Sequence, residues 1–210
     1  MLWGGWRFPR FSNKLLTLQW GKWDREYPPM STSRSFPAVA TTADGEFLVV
    51  IGGSLGINWS LAVELFQMKS RLWFKLTDLP QSLPRPSATI YGNVVHVIGI
   101  GDKGYSCPLR LPSSDQQIVS LTPLSWKRLP PLPLTQSTAA TLCGQLVIVG
   151  GVENRPLRNS IHMLVDREWL EIGHMASDRK WCLLVSTSPD KMIILGGWGA
   201  LQSIEECIFV

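Results

Sequence analysis

The sequence lacks the features of several common functional classes. No apolar run approaches the roughly 18 residues that a membrane-spanning helix needs, so we expect no membrane segment. The opening residues have no continuous apolar core of the secretory type, which favours a cytoplasmic chain. The cysteines contain no Cys-x-x-Cys pair, and we expect reduced thiols rather than two disulfides. They are Cys107, Cys143, Cys182 and Cys207.

Groupings of catalytic or metal-binding residues are also missing. The three histidines, His96, His162 and His174, lie too far apart to form a local ligand motif. No Ser/His/Asp or Cys/His constellation and no marked carboxylate pair stands out. We therefore expect no catalytic residues, no metal and no cofactor. The protein is predicted not to be an enzyme.

Charge is sparse and uneven. Charged residues make up 17% of the chain, and its net charge of +4 comes from the first 25 residues. These basic residues are scattered rather than clustered in a stripe, so we expect a solvated edge and no nucleic-acid partner. They are Arg7, Arg10, Lys14, Lys22 and Arg25, against Asp24 alone.

The sequence is rich in glycine, proline and tryptophan, with 18, 15 and 10 residues, which favours short strands joined by turns. A short apolar run that ends in glycines occurs four times. Its first glycines are Gly52, Gly99, Gly150 and Gly196, at intervals of roughly 46 to 51 residues. This period is typical of repeat architectures. Apolar residues on both faces of each run predict a strand buried on both sides.

Each repeat extends on both sides of this run. A turn signal and another strand-like segment precede it, which predicts a hairpin. A variable loop, a third strand and a tryptophan follow it. The third strands are expected at residues 62–67, 118–121 and 161–165, and the tryptophans are Trp73, Trp126 and Trp169. Because these tryptophans recur with the repeat, we interpret them as packing residues. Residues 15–18 and Trp23 match the end of a unit.

Four-stranded units with a paired glycine and a late tryptophan resemble kelch repeats. The matching residues are Arg34, Gly52, Gly53 and Trp73; Arg85, Gly99, Gly101 and Trp126; Gly150, Gly151 and Trp169; and Arg179, Gly196 and Gly197. The resemblance covers residues 15–210 and implies an all-β fold, a β-propeller with four four-stranded blades visible. Unit two departs from the pattern with Gly-Ile-Gly, and unit three has Thr135 or Gln136 where arginine is usual.

The predicted organisation is a basic segment over residues 1–14 and a propeller over 15–210. Its units span about 31–80, 81–133, 134–175 and 176–210. Four units are fewer than kelch propellers normally close with, and three interpretations stay open. The chain is part of a longer propeller, it is an open arc that self-associates, or residues 15–30 supply a strand that closes four blades.

The segment from Gly99 to Gly104 matches Gly-x-Gly-x-x-Gly, the fingerprint of dinucleotide-binding folds. That chemistry needs a helix beginning at the third glycine, to hold the pyrophosphate at its N-terminus. Pro108 and Pro112 lie where such a helix would run. We therefore predict that this segment binds no nucleotide.

The loops after the glycine pairs are the best candidates for function, because sheets fix such loops while their sequence varies. They span residues 54–61, 102–117, 152–159 and 198–203, and the longest is the first choice for partner contact. Aromatic and arginine side chains are the usual anchors of protein interfaces. The candidate partner-binding residues are Trp59, Tyr105, Arg110, Arg155, Arg158 and Trp198.

The kelch resemblance implies a non-catalytic protein-interaction module that binds its partner through one propeller face. Kelch domains often serve as substrate receptors of cullin-RING ubiquitin ligases, joined to BTB and BACK domains, or as actin-binding scaffolds. A ubiquitin-ligase substrate or actin is therefore the expected kind of partner, and self-association is a further expectation. The alternative is a kelch-like enzyme that processes sugars, of the oxidase or epimerase type.

Overall fold

The computed structural model describes residues 2–7, 10–19, 22–24, 27–109, 111, 125–154 and 156–209. Before residue 27 it describes the side chains of residues 12–15 only. All regular structure in these residues is β-strand, in five antiparallel sheets. None of the described residues forms a helix long and apolar enough to cross a membrane.

The first sheet has three strands, in the order β1-β2-β3. These are β1 (Leu2–Arg7), β2 (Arg10–Gln19) and β3 (Lys22–Asp24). The predicted basic segment thus contains β1 and part of β2. Residues 15–30, the predicted closing strand, contribute the rest of β2, which pairs with β1, and all of β3, which pairs with β2.

The four predicted repeat units form the other four sheets, each in chain order. The second sheet has β4 (Ala38–Thr41), β5 (Phe47–Ile51), β6 (Val63–Gln67) and β7 (Leu72–Lys75). The third has β8 (Ser87–Tyr91), β9 (Val94–Ile98), β10 (Gly104–Pro108) and β11 (Lys127–Arg128). The fourth has β12 (Thr138–Leu142), β13 (Gln145–Val152), β14 (Leu157–Val165) and β15 (Glu168–His174), and the fifth β16 (Leu183–Ser188), β17 (Lys191–Leu195) and β18 (Ile204–Ile208).

The glycine-terminated runs are the second strands of these sheets, as predicted. All five residues of β5 are buried, because a neighbouring sheet covers each of its faces. Leu48 and Val50 pack towards Leu15 and Met30, at the first sheet. Val49 and Ile51 belong to the core cluster shared with Val95 and Val97 of the third sheet. Burying both faces explains why these runs are apolar throughout.

Successive sheets pack face to face around the inner strands β4, β8, β12 and β16, which contact one another in that order. This arrangement is a β-propeller. The repeated tryptophans join neighbouring blades, which confirms their packing role. Each indole Nε1 donates a hydrogen bond to a carbonyl at the end of the preceding blade. The pairs are Trp73 with Pro28 at 2.8 Å, Trp126 with Thr77 at 3.1 Å, and Trp169 with Pro130 at 3.4 Å.

The third strand of the third sheet is not where the sequence predicted it. The strand is β10, which begins at Gly104, whereas predicted residues 118–121 lie outside the described part of the chain. Buried Tyr105 and Cys107 alternate with Ser106 and pair with β9. Gly104 therefore begins a strand, and no helix follows the Gly-x-Gly-x-x-Gly motif. Residues 104–108 belong to the sheet rather than to the predicted loop 102–117.

The last sheet has one covered and one exposed face. Met192 and Ile194 are buried against the fourth sheet. The opposite face carries exposed apolar side chains, of which Ile204 is the most exposed, at 73%. The others on this face are Leu183, Val185 and Ile208.

Candidate functional site

Four blades begin with the same backbone device. In each of them, the residue two positions before the inner strand adopts the left-handed conformation that non-glycine residues rarely take. These residues are Phe36 (φ 50°), Arg85 (φ 45°), Gln136 (φ 60°) and Trp181 (φ 55°). They lie where the blades meet around the propeller axis, and they form what we call the channel mouth.

The side chains of the channel mouth contact each other across blades. The guanidinium carbon of Arg85 lies 4.3 Å from the ring centroid of Trp181 and 5.0 Å from that of Phe36. Lys180 Nζ lies 4.3 Å from the same Trp181 ring and donates a hydrogen bond to Gln136 Oε1 at 2.8 Å. Two cations and two aromatic rings thus form one cluster, held by cation–π contacts.

A cavity of about 560 Å³ lies at this cluster. Its wall consists mainly of inner-strand residues with small or apolar side chains, such as Ala38, Ala88 and Ala139. Arg85 is the one charged residue among the described residues that line it, and these include no carboxylate and no histidine.

A second cavity, of about 930 Å³, lies towards the opposite end of the inner strands. Val39, Ala88, Ala139 and Leu184 line both cavities, so the two are sections of one axial channel. Hydroxyl groups tie the inner strands together along it. Thr89 and Thr141 share a hydrogen bond of 2.8 Å, and Thr138 Oγ1 donates to the Cys182 carbonyl at 3.0 Å. These three hydroxyls therefore bind other parts of the wall.

The loops after the glycine pairs lie at the same end of the blades as the channel mouth. Backbone bridges join them to the segments that carry it, between Ser35 and Ser54, Thr135 and Val152, and Lys180 and Trp198. We call this end the loop face. It exposes many large apolar side chains, and Ile57 is 98% exposed. The others are Phe36, Leu55, Leu61, Ile100, Trp181, Trp198 and Leu201.

Three of the predicted partner-binding residues lie on the loop face. Trp198 is 63% exposed, whereas Trp59 is half-buried and bridges to Ser54. Arg158 is exposed at the start of β14, where its Nη2 lies 2.9 Å from Glu153 Oε2. Arg110 and Arg155 lie outside the described residues.

The expectation that Tyr105 is a surface anchor is wrong. Its side chain is only 7% exposed and belongs to the core cluster between the second and third sheets. The reason is the strand β10, whose alternation directs Tyr105 and Cys107 into the core.

The match of Arg85 with the kelch arginine is wrong, and it concealed the channel mouth in the sequence. Arg34 and Arg179, both fully buried, donate to glycine-pair carbonyls, Gly52 and Gly196, at 3.0 Å each. In the third blade the position equivalent to Arg34 is held by Leu83, which packs beside Gly99. Arg85 is instead equivalent to Phe36. Each of the two is followed by a proline and then by the first residue of the inner strand. That shared proline context was the available signal.

Other titratable groups form no comparable site. No group of three His, Cys, Asp or Glu side chains in the described part of the chain is placed to hold a metal. The four cysteines are free, as expected, and Cys143 lies exposed in a turn. Burial raises the pKa of the Cys107 thiol to about 11, so it stays protonated at neutral pH.

The fold defines the protein as a β-propeller, and a comparison with known structures agrees. The chain is similar to the solved structure of YjhT, with a TM-score of 0.74 and 13% sequence identity, over 99% of this chain and 77% of that chain. At this identity the similarity shows the fold alone. No protein-family model matches the sequence, and no curated protein matches it.

Proposed function

We propose that this propeller is a non-catalytic binding module that takes a protein partner on its loop face. The observation that carries the proposal is the concentration of exposed apolar and aromatic side chains around the channel mouth. Exposed apolar patches with aromatic and arginine residues are typical of protein interfaces. A rigid stack of sheets presents these loops, as binding modules commonly do.

The chemistry of the channel supports binding over catalysis. General acid–base catalysis needs a carboxylate, histidine or similar group beside the substrate. The described residues that line the channel include no carboxylate and no histidine. They supply Arg85, hydroxyls, the Tyr91 phenol and the thiols of Cys143 and Cys182. Three of the hydroxyls, on Thr89, Thr138 and Thr141, are engaged with neighbouring strands. This favours the binding module over a sugar-processing enzyme. The kelch resemblance extends the proposal to a ubiquitin-ligase substrate or actin as partner, in the cytoplasm.

The test is selection of a displayed peptide library on the immobilised protein, followed by binding measurements with two matched variants. Ile57→Asp places a charge on the loop face, and Leu72→Asp places the same charge at the other end of the same blade. Ile57 is 98% exposed and Leu72 is 50% exposed, so neither variant disturbs the core. We expect selected peptides to bind at least about tenfold more weakly to Ile57→Asp and unchanged to Leu72→Asp. Equal effects of both variants, or the absence of any selected peptide, would contradict the proposal.

A further inference from the structure

The channel mouth contains an arginine whose donors are unused. No described residue accepts a hydrogen bond from Arg85 or forms an ion pair with it, although its guanidinium is held between the rings of Phe36 and Trp181. A guanidinium carries five N–H donors in one plane, and a cation–π contact with a ring does not use them as hydrogen-bond donors to an oxygen. Its edge is therefore free to donate to a ligand.

Lys180 adds a second positive charge on the same ring. Its ammonium contacts Trp181 and makes one hydrogen bond, to Gln136, out of three that it can donate. Among the described residues it forms no ion pair. Two cations thus contact one indole ring, and no described carboxylate lies within ion-pair distance of either.

Acidic residues elsewhere on the loop face have their own partners. Asp102 Oδ2 lies 3.7 Å from Arg128 Nη2, and Glu153 Oε2 lies 2.9 Å from Arg158 Nη2. Asp178, the acidic residue nearest to Lys180 in sequence, forms no ion pair with it. The cations of the channel mouth therefore remain uncompensated in the described structure, and such a site attracts an anion.

We propose that Arg85 and Lys180 form an anion subsite that receives the carboxylate of an acidic side chain from the bound partner. This inference rests on the proposed function. A carboxylate matches the planar fork of a guanidinium and accepts two parallel hydrogen bonds from it. Phe36 and Trp181 hold Arg85 in place before the ligand arrives, which lowers the entropy lost on binding. The exposed apolar residues around the mouth would contact the neighbours of the acidic residue.

The test uses blocked tripeptides and the side-chain N–H signals of Trp181 and Arg85 in nitrogen-15-labelled protein. The probe is acetyl-Leu-Glu-Leu-amide, and its control is acetyl-Leu-Gln-Leu-amide. A third peptide, acetyl-Leu-Gln-Leu with a free carboxyl end, distinguishes a chain terminus from a side chain. We expect saturable shifts with the Glu peptide and at least about tenfold weaker binding of both Gln peptides. Equal binding of the blocked Gln peptide would overturn the subsite, and equal binding of the free-acid peptide would overturn its assignment to a side chain.

Two variants at Arg85 separate charge from packing. Arg85→Met retains an unbranched stem between the rings and removes the charge, whereas Arg85→Lys retains the charge and loses the fork. We expect at least about tenfold weaker binding of the Glu peptide to Arg85→Met and a smaller loss with Arg85→Lys. The unfolding temperature should fall only slightly in Arg85→Met, because Arg85 is exposed and loses only cation–π contacts. Unchanged binding to Arg85→Met would overturn the proposal. If the Glu tripeptide binds as expected but library selection yields no peptide, the proposed function fails while the subsite stands. If library selection yields peptides but the Glu tripeptide does not bind, the subsite alone is rejected.

Discussion

The guanidinium of Arg34 donates a hydrogen bond to the carboxylate of Glu64, and both side chains are buried inside the second blade. Arg34 also donates to the carbonyls of Gly52 and Ala62, at 3.0 Å each. The second Glu64 oxygen accepts from the Ser31 backbone N–H at 2.8 Å. Burial lowers the pKa of Arg34 to about 10, so it stays charged at neutral pH. One ion pair therefore joins the entry of the blade to its second and third strands.

Other blades fill the same two positions differently. The last blade repeats the ion pair, between Arg179 and Glu205. In the third blade the strand register places Leu83 and Tyr105 at these positions. The chain itself thus contains an apolar alternative to the pair, in agreement with the general finding that well-packed apolar residues can replace buried ion pairs.

The first prediction concerns this replacement. Arg34→Leu should lower the free energy of unfolding by about 3–5 kcal/mol, because it leaves the Glu64 carboxylate buried without its cation. The double variant Arg34→Leu, Glu64→Tyr should recover much of that loss, since it installs the pair that the third blade uses. Denaturant unfolding of the two single variants and the double variant measures the coupling. Additive losses in the double variant would contradict the prediction.

The second prediction compares two glycines with the same backbone conformation. Gly150 and Gly92 have φ values of +57° and +54°. A Cβ added at Gly150 would lie 2.2 Å from the Arg179 carbonyl oxygen, whereas one added at Gly92 would meet nothing within 4 Å. Gly92→Ala should cost about 1–2 kcal/mol, for the left-handed conformation alone. Gly150→Ala should cost about 3 kcal/mol or more, because the blade entry must shift. Equal losses in thermal unfolding would show that the close approach does not matter.

The blades themselves could be predicted from the sequence because a strand buried on both faces leaves an unbroken apolar run. The strand β10 could not, because its five residues include glycine, serine and proline, which seldom favour strands. Its only signal was the alternation of Tyr105 and Cys107 around Ser106. The pairing with β9 outweighs that weak local preference.

The candidate site could be predicted only in part. The exposure of Trp198 on the loop face followed from its place after a glycine pair. The cluster of Phe36, Arg85 and Trp181 did not, because these residues are far apart in the chain and meet only where blades converge. Their left-handed backbone has no marker in the sequence, since phenylalanine, arginine and tryptophan all normally avoid it.

The third prediction concerns the pH dependence of stability. Burial lowers the pKa of His96, whose Nδ1 has no hydrogen-bond partner among the described residues. The folded protein therefore keeps this imidazole neutral at a pH where the unfolded chain, with a pKa of about 6.5, takes up a proton. The free energy of unfolding should fall as the pH falls below about 6.5 and level off below the pKa of the folded state.

The other blades supply a control for this effect. Val49, Val147 and Ile193 hold the register position equivalent to His96. His96→Val should therefore flatten the dependence of stability on pH between 7.5 and 5.5, as measured by urea unfolding at each pH. An equally steep dependence in the variant would assign the effect to other groups. His162 is one of these, because burial lowers its pKa too, against the opposing charges of Glu171 and Glu153.

The fourth prediction concerns the exposed face of the last sheet, on which Val185 and Ile204 lie. In the second blade the equivalent face is buried by its neighbour, so an uncovered copy of that face favours association with another molecule of the chain. We expect the mass measured by light scattering after size exclusion to rise with protein concentration. Ile204→Lys should shift this rise to at least about tenfold higher concentration, because association would bury the new charge. Leu170→Lys places the same charge on β15, on a side chain that is also exposed, and should leave association unchanged. A constant monomer mass for the unaltered protein, or equal effects of the two lysines, would show that this face does not drive association.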